Sequence, residues 1–202
     1  MAISLEKGRK VNLQKNQGSG LGEILVNLNW NSRPAKQGFL SGLMGGTKSG
    51  IDLDLGCLFE LKNGRKGTVQ ALGNAFGSLQ NEPYISLDGD DRTGAVTTGE
   101  NLRINGNQIA KIQRVLVYTF IYEGVANWQQ ADATVTIKYP GAEDLIVKMD
   151  SYNSRDIMCG LVLLENINDE TFSVEKIVQF YPGHQALDQA FHWGLRWTAG
   201  RK

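Results

Sequence analysis

The stretch Ile51–Gln70, IDLDLGCLFELKNGRKGTVQ, decides the fold. Leu53, Leu55, Cys57, Phe59 and Leu61 fall on one face. Asp52, Asp54, Gly56 and Glu60 fall on the other, with Leu58 the one apolar residue out of phase. Side chains of a β-strand alternate with period two, so Ile51–Leu61 reads as a strand with one buried face. Asn63-Gly64 follows, a dipeptide suited to the positive φ angles of a tight hairpin. It predicts a partner strand at Thr68–Leu72.

The same signals recur on both sides of this hairpin. Glu23–Trp30 alternates, with Ile24, Val26, Leu28 and Trp30 pointing one way. Arg114–Tyr122 and Ile157–Leu164 are apolar on both faces, as central strands are. Tyr84–Leu87, Leu102–Ala110, Ala133–Tyr139, Asp144–Met149 and Phe172–Tyr181 read as further strands, punctuated by Asn105-Gly106, Pro140-Gly141 and Pro182-Gly183. Ile3, Leu5, Val11 and Leu13 predict an edge strand. The period changes only near the end. Leu187, Ala190, Phe191 and Gly194 recur at helical spacing, so His184–Leu195 reads as a short amphipathic helix covering an end or edge of the sheets. The expectation is an all-β chain, an antiparallel β-sandwich of two sheets with a short C-terminal helix, in a single domain over residues 1–202.

Composition narrows the function classes. The chain has 202 residues, 41% of them hydrophobic and 21% charged, enough for a sizeable core. Twenty-one acidic residues balance 21 basic ones, so nothing advertises nucleic acid or an anionic membrane. There is no apolar run of about 18 residues to span a bilayer. The N-terminus MAISLEKGRK lacks the apolar core of a signal peptide, which points to the cytoplasm. Cys57 and Cys159 both lie in apolar runs and read as buried free thiols.

The second informative stretch is Asp88–Asn101, DGDDRTGAVTTGEN. It carries Asp88, Asp90 and Asp91, then Glu100 and Asn101. Crowded carboxylates repel one another, and a hard cation such as Ca²⁺, which takes six to eight oxygen ligands, relieves the repulsion. The stretch does not follow the EF-hand frame, because Arg92 stands at the fifth position and Glu100 one place late. A solvated Asp/Gly turn is the alternative. Period two places Asp52 and Asp54 on one side of their strand, roughly 7 Å apart, where both can reach one cation.

Catalytic patterns are missing. His184 and His192 stand eight apart, too far to share a metal on a helix, and surface or helix-cap roles suit them better. No GxSxG elbow is present. Ser41–Gly50, SGLMGGTKSG, resembles a phosphate-binding loop, but Thr47 precedes Lys48-Ser49 where a Walker motif needs glycine, and the residues that follow are strand-like. A nucleotide- or small-ligand-handling role for this loop is the alternative function. Core packing accounts best for Trp30, Trp128, Trp193 and Trp197, the last two four apart on the expected helix.

GIDLDLGCLFEL, Gly50–Leu61, resembles the DLDAS strand of TerD-like tellurium-resistance and stress proteins. GDDRTG, Gly89–Gly94, resembles that family's GDNRTG motif, and Gly99-Glu100-Asn101 stands where the family carries a later acidic element. Phe180-Tyr181-Pro182-Gly183 before a short helix is similar to the family's C-terminal close. The resemblance covers roughly residues 20–195. It implies a β-sandwich of the bacterial cytoplasm that binds Ca²⁺ through Asp52, Asp54, Asp90, Asp91, Glu100 and Asn101, without enzymatic activity. Asp88 is an extra acid that can join them. Implied partners are other stress-resistance proteins. Leu55-Gly56 replaces Ala-Ser, and Ala95–Thr98 carries fewer carboxylates than the family stretch. The long basic loop before Gly50 points to the TerA-like branch.

Overall fold

The computed structural model describes residues 2–14, 20–31, 51–88, 99–123, 127–149, 152 and 155–200. Within them the chain forms β1 (Ala2–Ser4), β2 (Lys10–Asn12), β3 (Glu23–Asn29), β4 (Asp52–Leu61), β5 (Lys66–Gln70), β6 (Gly77–Ser78), β7 (Ile85–Leu87), β8 (Glu100–Asn105) and β9 (Ile112–Glu123). A one-turn helix α1 (Trp128–Ala131) follows, then β10 (Thr134–Lys138), β11 (Asp144–Lys148), β12 (Met158–Ile167), β13 (Thr171–Tyr181) and the helix α2 (His184–Ala190). One sheet has the order β1-β11-β10-β3-β8-β7-β6 and the other β2-β13-β12-β9-β4-β5. Every pairing is antiparallel except β1 with β11. This is the expected two-sheet sandwich with a short C-terminal helix.

The hairpin that anchors the reading forms as expected. Gly64 adopts φ +85°, and Gly64 N–H donates to Leu61 O at 3.0 Å. The partner strand starts two residues earlier than Thr68, because Lys66 already pairs with Glu60. The N-terminal strand divides in two. β1 edges one sheet, β2 edges the other, and Lys7-Gly8 turns the chain between them. The segment therefore links both layers at one side of the sandwich.

Two apolar clusters hold the molecule. The larger lies between the sheets and takes Leu53, Leu55, Cys57, Phe59 and Leu61 from β4, together with Ile24, Val26 and Leu28 from β3. The second lies outside the six-stranded sheet, where Leu58, Leu116, Tyr118, Phe120, Met158 and Tyr181 pack under Leu187 and Trp193. Burying a leucine such as Leu58 contributes about 2 kcal/mol. This cluster explains why β9 and β12 are apolar on both faces and why Leu58 breaks the alternation. The C-terminal helix thus covers a sheet face, not an end or edge as its amphipathicity alone implied.

α2 also stops at Ala190, short of Leu195. Asp188 is buried, and its carboxylate accepts from the N–H groups of Gly194 and Leu195 at 2.8 and 2.9 Å and from Trp197 Nε1 at 3.0 Å. These bonds curl the chain back, with His192 at φ +55° and Gly194 at φ +78°. Trp193 and Trp197 therefore do not share a helix face. Trp193 Nε1 donates to Phe59 O at 3.0 Å, with the Arg114 guanidinium 3.8 Å above its ring. Trp197 packs on His184 instead.

His184 is half-buried and does more than the surface or capping role expected of it. Its ring sits 5.0 Å from Phe120, 5.5 Å from Tyr118 and 4.9 Å from Trp197. Nε2 lies 2.9 Å from Gln70 Oε1, an atom that only accepts, so Nε2 carries the proton. Burial lowers the His184 pKa from its ordinary 6.5 to about 4. Folding therefore favours the neutral ring. The contribution is fully present above about pH 6.5 and is lost as pH falls towards 4. We expect stability from urea titrations to drop on the order of 2 kcal/mol across that window, after allowance for partial exposure. In His184→Phe this part of the pH slope should vanish; an unchanged slope would show that the ring is as easily protonated folded as unfolded.

Candidate acidic site

Asp52 and Asp54 open β4, and both are buried, Asp54 completely. Asp54 pairs with Phe120, a residue of the outer cluster, so it lies on the outer face of the six-stranded sheet with Gly56 and Leu58. The β4–β9 ladder slips between Asp52 and Leu53, whose partners are Glu123 and Ile121. Such a bulge re-aims the side chains beside it. Asp52 faces Glu123, an acid that sequence reasoning did not single out. Its part in this end of the molecule follows only from the register, which no local signal in β9 reveals.

Glu100 comes from the other sheet. It is the first residue of β8, not part of the loop in which the sequence places it. Its position is inward-facing, in line with the core residues Leu102 and Ile104. Gly99 makes this entry possible. It sits at φ +66°, and a Cβ there would lie 2.0 Å from Leu28 O. Glu100 is buried, with a relative exposure of 3%, and its Oε2 accepts from Leu55 N–H at 2.6 Å. A buried carboxylate is costly unless it is hydrogen-bonded, and this bond meets part of that cost while tying the two sheets together.

Asp88 and Asn101 lie apart from these three. Asn101 is on the opposite face of β8 from Glu100, and its Oδ1 accepts from Asn27 Nδ2 at 2.9 Å. Asp88 N–H donates to Asn101 O at 3.0 Å. The Asp88 carboxylate binds Arg103 Nε at 2.7 Å, and Arg103 also pairs with Glu23. These bonds to Asp88 first, then to Glu23, hold Arg103 firmly protonated. Asp88 and Asn101 thus fasten the ends of the acidic stretch to the outer face of the seven-stranded sheet. Asp90 and Asp91 lie outside the described residues, as does the Ser41–Gly50 stretch.

The donors at this end, Asp52, Asp54 and Glu100, are the hard oxygens that Ca²⁺ selects, so their chemistry fits that ion. Among the described residues alone, no group of three or more His, Cys, Asp or Glu side chains is placed to hold a metal. Cys57 and Cys159 are free and buried, as expected, and burial pushes the Cys57 thiol up to about 12, which leaves it inert. No helix among the described residues is long and apolar enough to cross a membrane.

Fold and acidic end together define a class of protein, a two-sheet sandwich whose layers meet through a buried carboxylate. The chain belongs to the TerD-domain family, whose model matches residues 1–138. It is 42% identical over 184 residues to the tellurium resistance protein TerA of an Alcaligenes species, covering 91% of this chain and 54% of that protein. It is 33% identical over 132 residues to the stress response protein SCP2 of Bacillus subtilis (strain 168), covering 64% of this chain and 65% of that protein. The chain thus spans about half the length of the TerA relative and just under two thirds of the other. The crystal structure of a TerD homologue from Streptomyces coelicolor A3(2) shares the fold, with a TM-score of 0.55 at 16% identity over 84% of this chain and 95% of that one. The family is that of tellurium-resistance and stress-response proteins, as the two anchoring motifs imply.

Proposed function

We propose that this chain is a calcium-binding, non-enzymatic interaction module acting in tellurite resistance and the wider stress response. The observation that carries the reading is the 2.6 Å bond from Leu55 N–H to Glu100, which brings the acidic start of β8 onto the acidic start of β4. Asp52, Asp54 and Glu100 would hold the ion together with Asp90 and Asp91, while Asp88 and Asn101 anchor the intervening stretch. Bound calcium would neutralise carboxylates that the fold otherwise buries. Its role is structural, joining the two sheets at one end and shaping a surface for other stress-resistance proteins.

Calorimetric titration of the full chain with CaCl₂ tests this reading. The wild type should bind calcium, and Asp54→Asn should weaken binding by about tenfold or more. Equal binding by wild type and Asp54→Asn would remove Asp54 from the site.

A further inference from the structure

The acidic end and the C-terminal cover share one row of side chains. Asp54, Gly56 and Leu58 follow one another along the outer face of β4, opposite Phe120, Tyr118 and Leu116. The Tyr118 ring lies directly over Gly56, where a Cβ would meet two ring carbons at 2.7 and 2.8 Å and the hydroxyl oxygen at 2.9 Å. Burial keeps the Tyr118 hydroxyl protonated, and it donates to Gln70 Oε1 at 2.7 Å. That oxygen also receives His184 Nε2 at 2.9 Å. His184 packs on Trp197, whose Nε1 donates to Asp188, the carboxylate that curls residues 191–197 back onto the sheet. On the other side of this row, Leu55 N–H is the donor to Glu100.

The far end of the row is α2 and the chain that follows it. α2 has seven residues and no side-chain cap. A helix so short has no stability of its own, so it depends on packing. Asp188, Trp193 and Arg114 seat it together with residues 191–200, and Arg114 Nη1 donates to Phe191 O at 3.1 Å. The cover is therefore able to open as one unit without unfolding the strands beneath.

We propose that residues 54–56 of β4 and the C-terminal cover, residues 184–200, form one coupled unit, in which the Glu100 contact and any ion at the acidic end set how firmly the cover is seated. The part that involves an ion rests on the calcium reading; the part that involves Glu100 does not. No side chain at Gly56 cushions the contact, so a shift of the backbone at 54–56 moves Tyr118 directly. That displaces its hydroxyl from Gln70 and loosens the support of His184 and Trp197. Coupling of this kind is reciprocal, so seating the cover also favours the acidic end. The outer surface of the cover, where His184, Gln185, Gln189 and Trp197 line an open cleft, becomes the region that changes with the state of the acids.

Hydrogen–deuterium exchange of the full chain, read by mass spectrometry in peptides from 184–200, tests the coupling. Without calcium, Glu100→Gln should speed exchange there by about tenfold and leave β12 and β13 at wild-type rates, a fall of about 1.4 kcal/mol in the local opening free energy. Tyr118→Phe should cancel most of that response, because the hydroxyl that relays it is gone. Calcium should slow exchange in the same peptides of the wild type. Should Glu100→Gln fail to fold, Asp54→Asn takes its place. Unchanged exchange at 184–200 under both the substitution and calcium would overturn the coupling, as would a uniform rise over all strands. A cover that loosens in Glu100→Gln, in a chain indifferent to calcium, would sink the calcium reading and keep the coupling. A chain that binds calcium with no response at 184–200 would do the reverse.

Discussion

Gly99→Ala should destabilise the protein by about 3 kcal/mol or more. Two effects combine at this position. The backbone is in the left-handed region, φ +66°, which costs a residue with a Cβ on the order of 1 kcal/mol. The added carbon would also lie 2.0 Å from Leu28 O and 3.0 Å from Leu28 C. Both are backbone atoms of β3, paired with Glu100 in the ladder, so no side chain can swing aside. Gly64→Ala is the control. Its φ of +85° is equally unfavourable, but a Cβ there meets nothing within 4 Å, so only the conformational cost of about 1 kcal/mol applies. Urea denaturation of both variants measures the difference. Equal losses would mean that β3 and β8 separate easily at Gly99. Because Gly99 sets the entry of Glu100, the larger loss should be accompanied by weaker calcium binding in Gly99→Ala.

Trp193→Ala should cost a further large amount, about 3–5 kcal/mol. The indole is 1% exposed, and the substitution removes three things together. It empties the centre of the outer cluster, removes the indole N–H that donates to Phe59 O and strips the platform under Arg114. Trp197→Ala should cost clearly less, about 1–2 kcal/mol, because that ring is half-buried at the rim. Chemical denaturation of the two variants gives the ranking. A loss of under about 1 kcal/mol in Trp193→Ala would show that the outer cluster contributes little and that the cover is an ornament on a self-sufficient sandwich.

Much of this architecture is legible in the residues. Alternation in β3, β4 and β13 and the Asn63-Gly64 turn are local signals, and local geometry obeys them. Strands apolar on both faces, β9 and β12, announce that something covers the second face, yet period and polarity cannot say what. Leu58 is the instructive case. In the sequence it is an exception to the alternation of β4; in the fold it is the floor under Leu187 and Trp193. The helix is shorter than its apolar spacing predicts for a related reason. Apolar residues continue at helical spacing past Ala190, but a side chain seven residues back from Leu195, Asp188, captures the backbone and ends the helix.

The acidic end was legible in composition and not in arrangement. Six carboxylates and an amide in two stretches give the chemistry. They do not tell which face each takes. Glu100 and Asn101 are neighbours in sequence and point to opposite sides of β8, one towards β4 and one towards Asn27. Asp88 resembles its loop neighbours as a candidate ligand, but Arg103, fifteen residues on in the next strand, binds its carboxylate. Both outcomes depend on register between strands, which is a tertiary property.

Thermal unfolding of the full chain in EDTA, in millimolar Mg²⁺ and in millimolar Ca²⁺ tests the central claim most directly. At about 100 times its dissociation constant, calcium should add roughly 2.7 kcal/mol of stability and raise Tm by several degrees. Magnesium, smaller and reluctant to shed its water, should do much less. Glu100→Gln should lose most of the calcium response. Superimposable melts in all three conditions would contradict the account, and would leave the buried acids as packing partners with no ion to join.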